Sequence, residues 1–248
     1  MSRFTRITAG LGIAAVAATG VGFAVASSST STTAADRPAV LLADGDDRLP
    51  SGTAADWVTY ADHVVVVKVV SEKALQPTQT ETERGEGLIG RKVSLQVQKV
   101  LWSSKTAAQP APKSWEYNAT GWAFTGGKLE DPTPVALHER PRMETGHQYV
   151  IALAWDGPRC SPEETPEAGR WMGLGEGSEL PFDGGVIGAG ENEGAVQTVG
   201  EARTDAAEAG AVADLEDQLA GKTAADLVSS LKAATPEVKQ VPFNAPCK

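Results

Sequence analysis

Lys92-Val93-Ser94-Leu95-Gln96-Val97-Gln98-Lys99-Val100-Leu101-Trp102 is the stretch whose pattern decides the fold class. Val93, Leu95 and Val97 alternate with Ser94, Gln96 and Gln98, a period of two that only a strand with one buried face satisfies. The apolar phase then moves to Val100 and Trp102, so one residue near Gln98-Lys99 is extra. An extra residue in an otherwise strict alternation predicts a β-bulge, the device by which a strand bends. Upstream, His63-Val64-Val65-Val66-Val67-Lys68-Val69-Val70 is too continuously β-branched to have a wet side. It predicts a strand covered on both faces.

Other strands follow outward from this pair. Trp115 and Tyr117 share one face of a short strand, and Tyr149-Val150-Ile151-Ala152-Leu153-Ala154-Trp155 alternates large and small side chains. Shorter strands are expected within Arg170–Gly175, Glu179–Ile187 and Gly194–Val199, each set off by glycine. Thr78–Gly90 and the Pro/Ala-rich stretch 106–113 are expected as loops. Two helices carry start signals: Thr53-Ala54-Ala55-Asp56 and Thr223-Ala224-Ala225-Asp226 each place an acid three residues after a threonine, as a capping box does. The second leads into Leu227, Val228 and Leu231 and stops before Pro236, and a weaker helix is expected across Val212–Leu219.

The N-terminus supplies the compartment. Arg3 and Arg6 precede an uncharged run from Ala9 to Ala26 that ends in Ala24-Val25-Ala26. Basic region, apolar region and small-residue site are the parts of a secretory signal peptide. The alternative is an uncleaved helix that anchors the protein to the membrane; its 18 residues would span about 27 Å, short for a bilayer core of about 30 Å. The expected organisation is a signal peptide at 1–26, a disordered Ser/Thr/Ala/Asp-rich spacer at 27–52, a β-barrel domain at 53–200 and a helical C-terminal segment at 201–248. Loss of residues 1–26 takes the formal charge from −10 to −12. So acidic a chain repels phosphate backbones, which argues against nucleic acid and anionic membranes as partners.

In an oxidising compartment the two cysteines, Cys160 and Cys247, are expected to pair and staple the C-terminal segment to the barrel domain; two free or intermolecular thiols are the alternative. No catalytic, cofactor or metal-ligating set is assigned. Gly177-Ser178 has Glu176 and Leu180 where a nucleophile elbow needs glycines, and Asp44-Gly45-Asp46-Asp47 fails the calcium-loop template at Arg48 and Ala55. Gly221-Lys222-Thr223 lacks the first glycine and the strand of a phosphate loop. His63, His138 and His147 match no ligand spacing. The candidate binding loop holds Trp122 and Phe124 between Gly121 and Gly126-Gly127. There an indole can face a sugar ring or a partner protein, or fold back as a lid.

The order of elements, from Asp62-His63-Val64 through the bulged strand ending Val100-Leu101-Trp102 to Gly146-His147-Gln148-Tyr149 and Val150-Ile151-Ala152-Leu153, resembles uncharacterised secreted bacterial proteins with a small OB-like barrel of the netrin and tissue-inhibitor type. The resemblance covers roughly residues 60–190. It implies a mainly β fold, a small OB-like antiparallel barrel with a C-terminal α-helical segment. It does not carry over protease inhibition, because those inhibitors use an N-terminal cysteine and none stands near the mature start here. The expected function is a secreted, monomeric, non-catalytic binding or structural module, free or associated with the cell wall. Its partner would be an unknown protein or a cell-envelope carbohydrate, with no membrane insertion after signal cleavage. The alternative is an extracellular hydrolase with a histidine/carboxylate site.

Overall fold

A computed structural model describes residues 39–45, 48–158, 167–210 and 213–239. The signal segment, most of the spacer, Cys160 and Cys247 lie outside the described residues. Among the described residues, no helix is long and apolar enough to cross a membrane.

The Val-rich stretch is β2 (His63–Ala74), the central strand of the fold. It pairs antiparallel with β3 (Gly87–Ser103) on one side and with β6 (Gln148–Asp156) on the other. The bulge expected near Gln98 is observed: Val66 faces Lys99 while Val67 faces Val97, so Gln98 is skipped. Two further register shifts, at Val64/Val65 and Val69/Ser71, bend the same pair. β3 continues to β4 (Ser114–Phe124), which meets β5 (Thr133–Leu137). The outer edge of β6 is shared by two short strands, β7 (Arg170–Gly173) and β8 (Glu179–Pro181). A separate ribbon joins β9 (Gly190–Asn192) to β10 (Ala195–Gln197).

β2 is buried on both faces, as its composition predicts, because two cores lie on opposite sides of it. Val65, Val67 and Val69 join Val93, Leu95, Met143, Ile151 and Leu153 on the concave side. Val64 and Val66 join Val150 and Ala152 on the other, under Trp57 of α1 (Ala54–Tyr60) and Leu227 and Leu231 of α5 (Ala224–Ala233). The spacing of four residues puts both leucines of α5 on one helical face, and that face is fully covered. Trp57 is buried with its indole N–H donating to the Ser51 carbonyl at 2.7 Å and the Gly177 carbonyl at 3.2 Å. The Thr53–Asp56 capping box forms in both directions, and at the second site the Asp226 carboxylate accepts from the Thr223 amide and hydroxyl.

The fold is mainly β with a helical C-terminal part, but the expected small antiparallel barrel does not close. The hydrogen-bonded path runs β1-β5-β4-β3-β2-β6-β7 and ends there. The concave core still brings Trp115, Tyr117 and Ala119 of β4 against Trp171 of β7. Beside β7 on the outer edge of β6, β8 meets β4 through side chains: Arg140 donates to Tyr117 Oη at 2.6 Å and to Glu179 Oε2 at 2.7 Å, and Tyr117 donates to Glu179. These polar groups occupy the seam that a backbone ladder would need, and β7 is only four residues long. The sheet is also mixed, because β1 (Leu41–Ala43) pairs parallel with β5.

Three further differences from expectation are local. Strand β1 falls inside the stretch read as spacer. Thr78–Gly90, read as loop, contains α2 (Gln79–Arg84), capped by Thr78 with Glu81 and ended by Gly85 in the left-handed conformation at φ 73°. Hydrogen bonds from Thr78 hold the Glu81 carboxyl down at about 2. The helical part begins at α3 (Val199–Ala209) and continues through α4 (Leu215–Leu219), which occupies the end of the weaker helix expected there.

Candidate functional site: an acidic cleft

The candidate binding loop is not a loop. Trp122 and Phe124 lie in β4, with Trp122 opposite Ile89 on one side and Pro134 on the other. Phe124 is buried. The Trp122 ring is covered by two guanidinium groups, Arg142 at 5.0 Å and Arg91 at 5.7 Å. Its flat face is therefore spent on cation–π packing within the fold. Gly121 precedes it because the strands run so close that a Cβ there would strike the Ile89 carbonyl.

Those arginines belong to a buried network that braces the connection from β5 to β6. Arg91 is 1 % exposed and donates to the Thr120 carbonyl, the Glu72 carboxylate at 2.8 Å and the Arg142 carbonyl. Arg142 bonds the Val135 and Gly121 carbonyls and Glu144. Burial, then the charge of Arg91, lowers the pKa of Arg142. Glu191 of β9 accepts four hydrogen bonds, from the amides of Arg142 and Met143 at 3.0 Å, from Tyr149 Oη at 2.6 Å and from the Gly194 amide at 2.7 Å. Burial and the adjacent Glu191 push the Tyr149 hydroxyl far up. This is bracing, with every group consumed.

The three histidines do not converge. His63 is buried, with Nδ1 on Ser103 Oγ and Nε2 on the Gln109 carbonyl, both at 2.8 Å. A carbonyl only accepts, so Nε2 carries the proton and the ring has no free nitrogen. His147 Nδ1 contacts Asp183 Oδ2 at 2.5 Å, while Asp183 Oδ1 accepts from the Gln148 amide. The register puts His63 opposite Leu153 and Lys68 opposite Gln148, so His63 and His147 sit about 17–20 Å apart along the strands. His138 is exposed, 3.8 Å from Glu193.

The large concavity lies elsewhere, between the strand edge at β1 and the β9–β10 ribbon on one side and α3 and α4 on the other. It is a cleft of about 900 Å³. From α3 it receives Glu201, Asp205 and Glu208, from α4 and its cap Asp214, Glu216 and Asp217, and from the opposite rim Glu139 and Glu193. None of the described residues lining it is a lysine or arginine. Some of these acids are engaged: Glu201 caps α3, Asp214 and Asp217 cap α4, and Glu193 receives the Glu139 amide. Glu139, Asp205, Glu208 and Glu216 have no hydrogen-bond or ion-pair partner for their side chains among the described residues.

Glu216 is recessed among its neighbours yet partly open to the cleft. Burial first, and then Asp214, Asp217 and Glu139 around it, push its carboxyl from 4.5 up to about 8. Burial likewise raises Asp214. In the facing wall, Asn192 Oδ1 is buried and has no hydrogen-bond partner among the described residues. The cleft is thus a concentrated negative field with low-dielectric walls, which focuses attraction on cations. Sequence reasoning did not single it out, because 32 acids are spread along the chain. One signal was available: Glu201, Asp205 and Glu208 stand at i, i+4 and i+7, one face of a helix.

Comparison with protein families, with curated proteins and with solved structures returned no match.

Proposed function

We propose that the protein is a secreted, non-catalytic binding module and that the acidic cleft is its binding surface. The observation that supports this most directly is the cleft's one-signed lining, with four carboxylates that have no side-chain partner among the described residues inside a concavity of about 900 Å³. That volume is on the scale of ligand-binding pockets. Like charges held together cost stability, and a cationic ligand would relieve that cost. The consumed rings of His63 and Trp122 leave the cleft as the better-supported surface.

Calorimetric titration of the protein with a panel of cationic and anionic probes tests the reading. Spermine or oligolysine is expected to bind at low salt, weaken as salt screens the field, and bind less to an Asp205→Asn/Glu208→Gln variant. Hexaglutamate is expected not to bind. Equal binding by the variant, or no response to any cation, would overturn it. Hydrolytic activity abolished by His147→Ala would replace it with the hydrolase alternative.

A further inference from the structure

The cleft's acids are spread rather than gathered. Among the described residues, no three His, Cys, Asp or Glu side chains come close enough to hold a metal ion. A ligand that satisfies such a lining carries several positive charges at intervals. Glu201, Asp205 and Glu208 rise along α3 at about 6 Å and 4.5 Å steps, from 1.5 Å per residue. Same-face side chains of an extended peptide recur about every 6.8 Å, close to the first of these steps.

The opposite wall presents backbone. β1 is the terminal strand of the sheet, and among the described residues no strand pairs with its outer edge. Val40 and Leu42, beside and within that strand, line the cleft, and Leu42 is 39 % exposed. An open strand edge offers N–H and C=O groups to another extended chain. Ala195 and Gln197 of β10, with Ala202 and Ala209 of α3, add small surface between the charges. Glu216, which has no side-chain partner among the described residues, also lines the cleft.

We propose that the occupant of the cleft is an extended, lysine-rich peptide segment, its ammonium groups against Glu201, Asp205 and Glu208 and its backbone along the outer edge of β1. This rests on the cleft being the binding surface, and it names the ligand class: a peptide, recognised by charge spacing and by strand addition, rather than a metal ion or a free polyamine.

The test compares hexalysine amide, spermine and Mg²⁺ by amide chemical-shift mapping and titration of the isotope-labelled full chain. Hexalysine is expected to shift amides of both α3 and the 40–43 edge, and to bind about tenfold more weakly to Asp205→Asn/Glu208→Gln. Both substituted residues are exposed and have no side-chain partner among the described residues, so the fold is expected to be retained. A lysine–proline alternating peptide, equal in charge but deprived of alternate N–H donors, is expected to bind more weakly than a lysine–alanine one. If spermine or Mg²⁺ perturbs the cleft while hexalysine does not, or if hexalysine leaves the β1 edge unshifted, the peptide assignment falls and the binding-surface reading stands. If no cation perturbs the cleft, both fall.

Discussion

Replacing Glu216 by glutamine is expected to make the protein more stable at alkaline pH and to leave it unchanged at acid pH. Glutamine keeps the shape of the protonated acid, so only the charge differs. The folded protein holds the Glu216 proton up to about 8 against an ordinary 4.5, so between those values the folded state binds more protons than the unfolded chain. Stability contributed by this group is then fully present below about pH 4.5, falls as pH rises through 8, and is level above that. A shift from 4.5 to about 8 corresponds at most to about 5 kcal/mol at 1.36 kcal/mol per unit. Glu216 is partly open to the cleft, and solvent screening reduces this to about 1–2 kcal/mol. Urea unfolding of wild type and Glu216→Gln at pH 4.5, 7 and 9 measures it. The stability difference should be absent at pH 4.5, grow through neutrality and reach its full value by pH 9, where about 2–8 °C in Tm is expected. Added salt should shrink it only in part, because burial is the larger cause and salt screens only the repulsion by Asp214, Asp217 and Glu139. A difference that is flat with pH, or a variant less stable at pH 9, would refute the reasoning.

Glu191→Ala removes the acceptor for the Arg142, Met143 and Gly194 amides and for Tyr149 Oη. It should cost about 3–5 kcal/mol, read as a lower urea midpoint, with faster hydrogen exchange at those amides. Trp122→Ala should destabilise by about 2–4 kcal/mol through lost packing and cation–π contact with Arg142 and Arg91. It should leave hexalysine affinity unchanged by calorimetry, whereas lost binding at full stability would return Trp122 to the role of a ligand contact. Cys160 and Cys247 are proposed to pair across 87 residues, a loop whose closure is worth about 4 kcal/mol. Thiol titration of the unfolded, unreduced protein should find none, and two thiols per chain would overturn the pairing.

Much of the middle of the fold was legible because its signals are local. The period of β3 and its slip near Gln98-Lys99 depend only on which face each side chain takes, so the bulge was placed within two residues. The Val run of β2 could not be solvated on either side, and two cores cover it. The Thr223–Asp226 box and the spacing of Leu227 and Leu231 set the start and buried face of α5. By contrast, α2 carries a Thr78–Glu81 box but buries nothing, so no apolar period announced it. β1 is three residues long and is a strand only because β5 lies beside it.

By itself, the sequence determined the long strands β2, β3 and β6, the helices α1 and α5, and the faces they bury. Periodicity, β-branching and capping act within a few residues. Tertiary structure alone decided how the sheet ends and where a site lies. Closure depends on whether β4 and the strands on the outer edge of β6, far apart in the chain, meet through backbone or through Tyr117, Arg140 and Glu179. The acids at 139, 193, 201–208 and 214–217 are unremarkable on their own segments. They become one negative cleft only when α3 and α4 face the rim formed by β1 and the β9–β10 ribbon. Coulomb energy depends on distance in space, which sequence separation does not give.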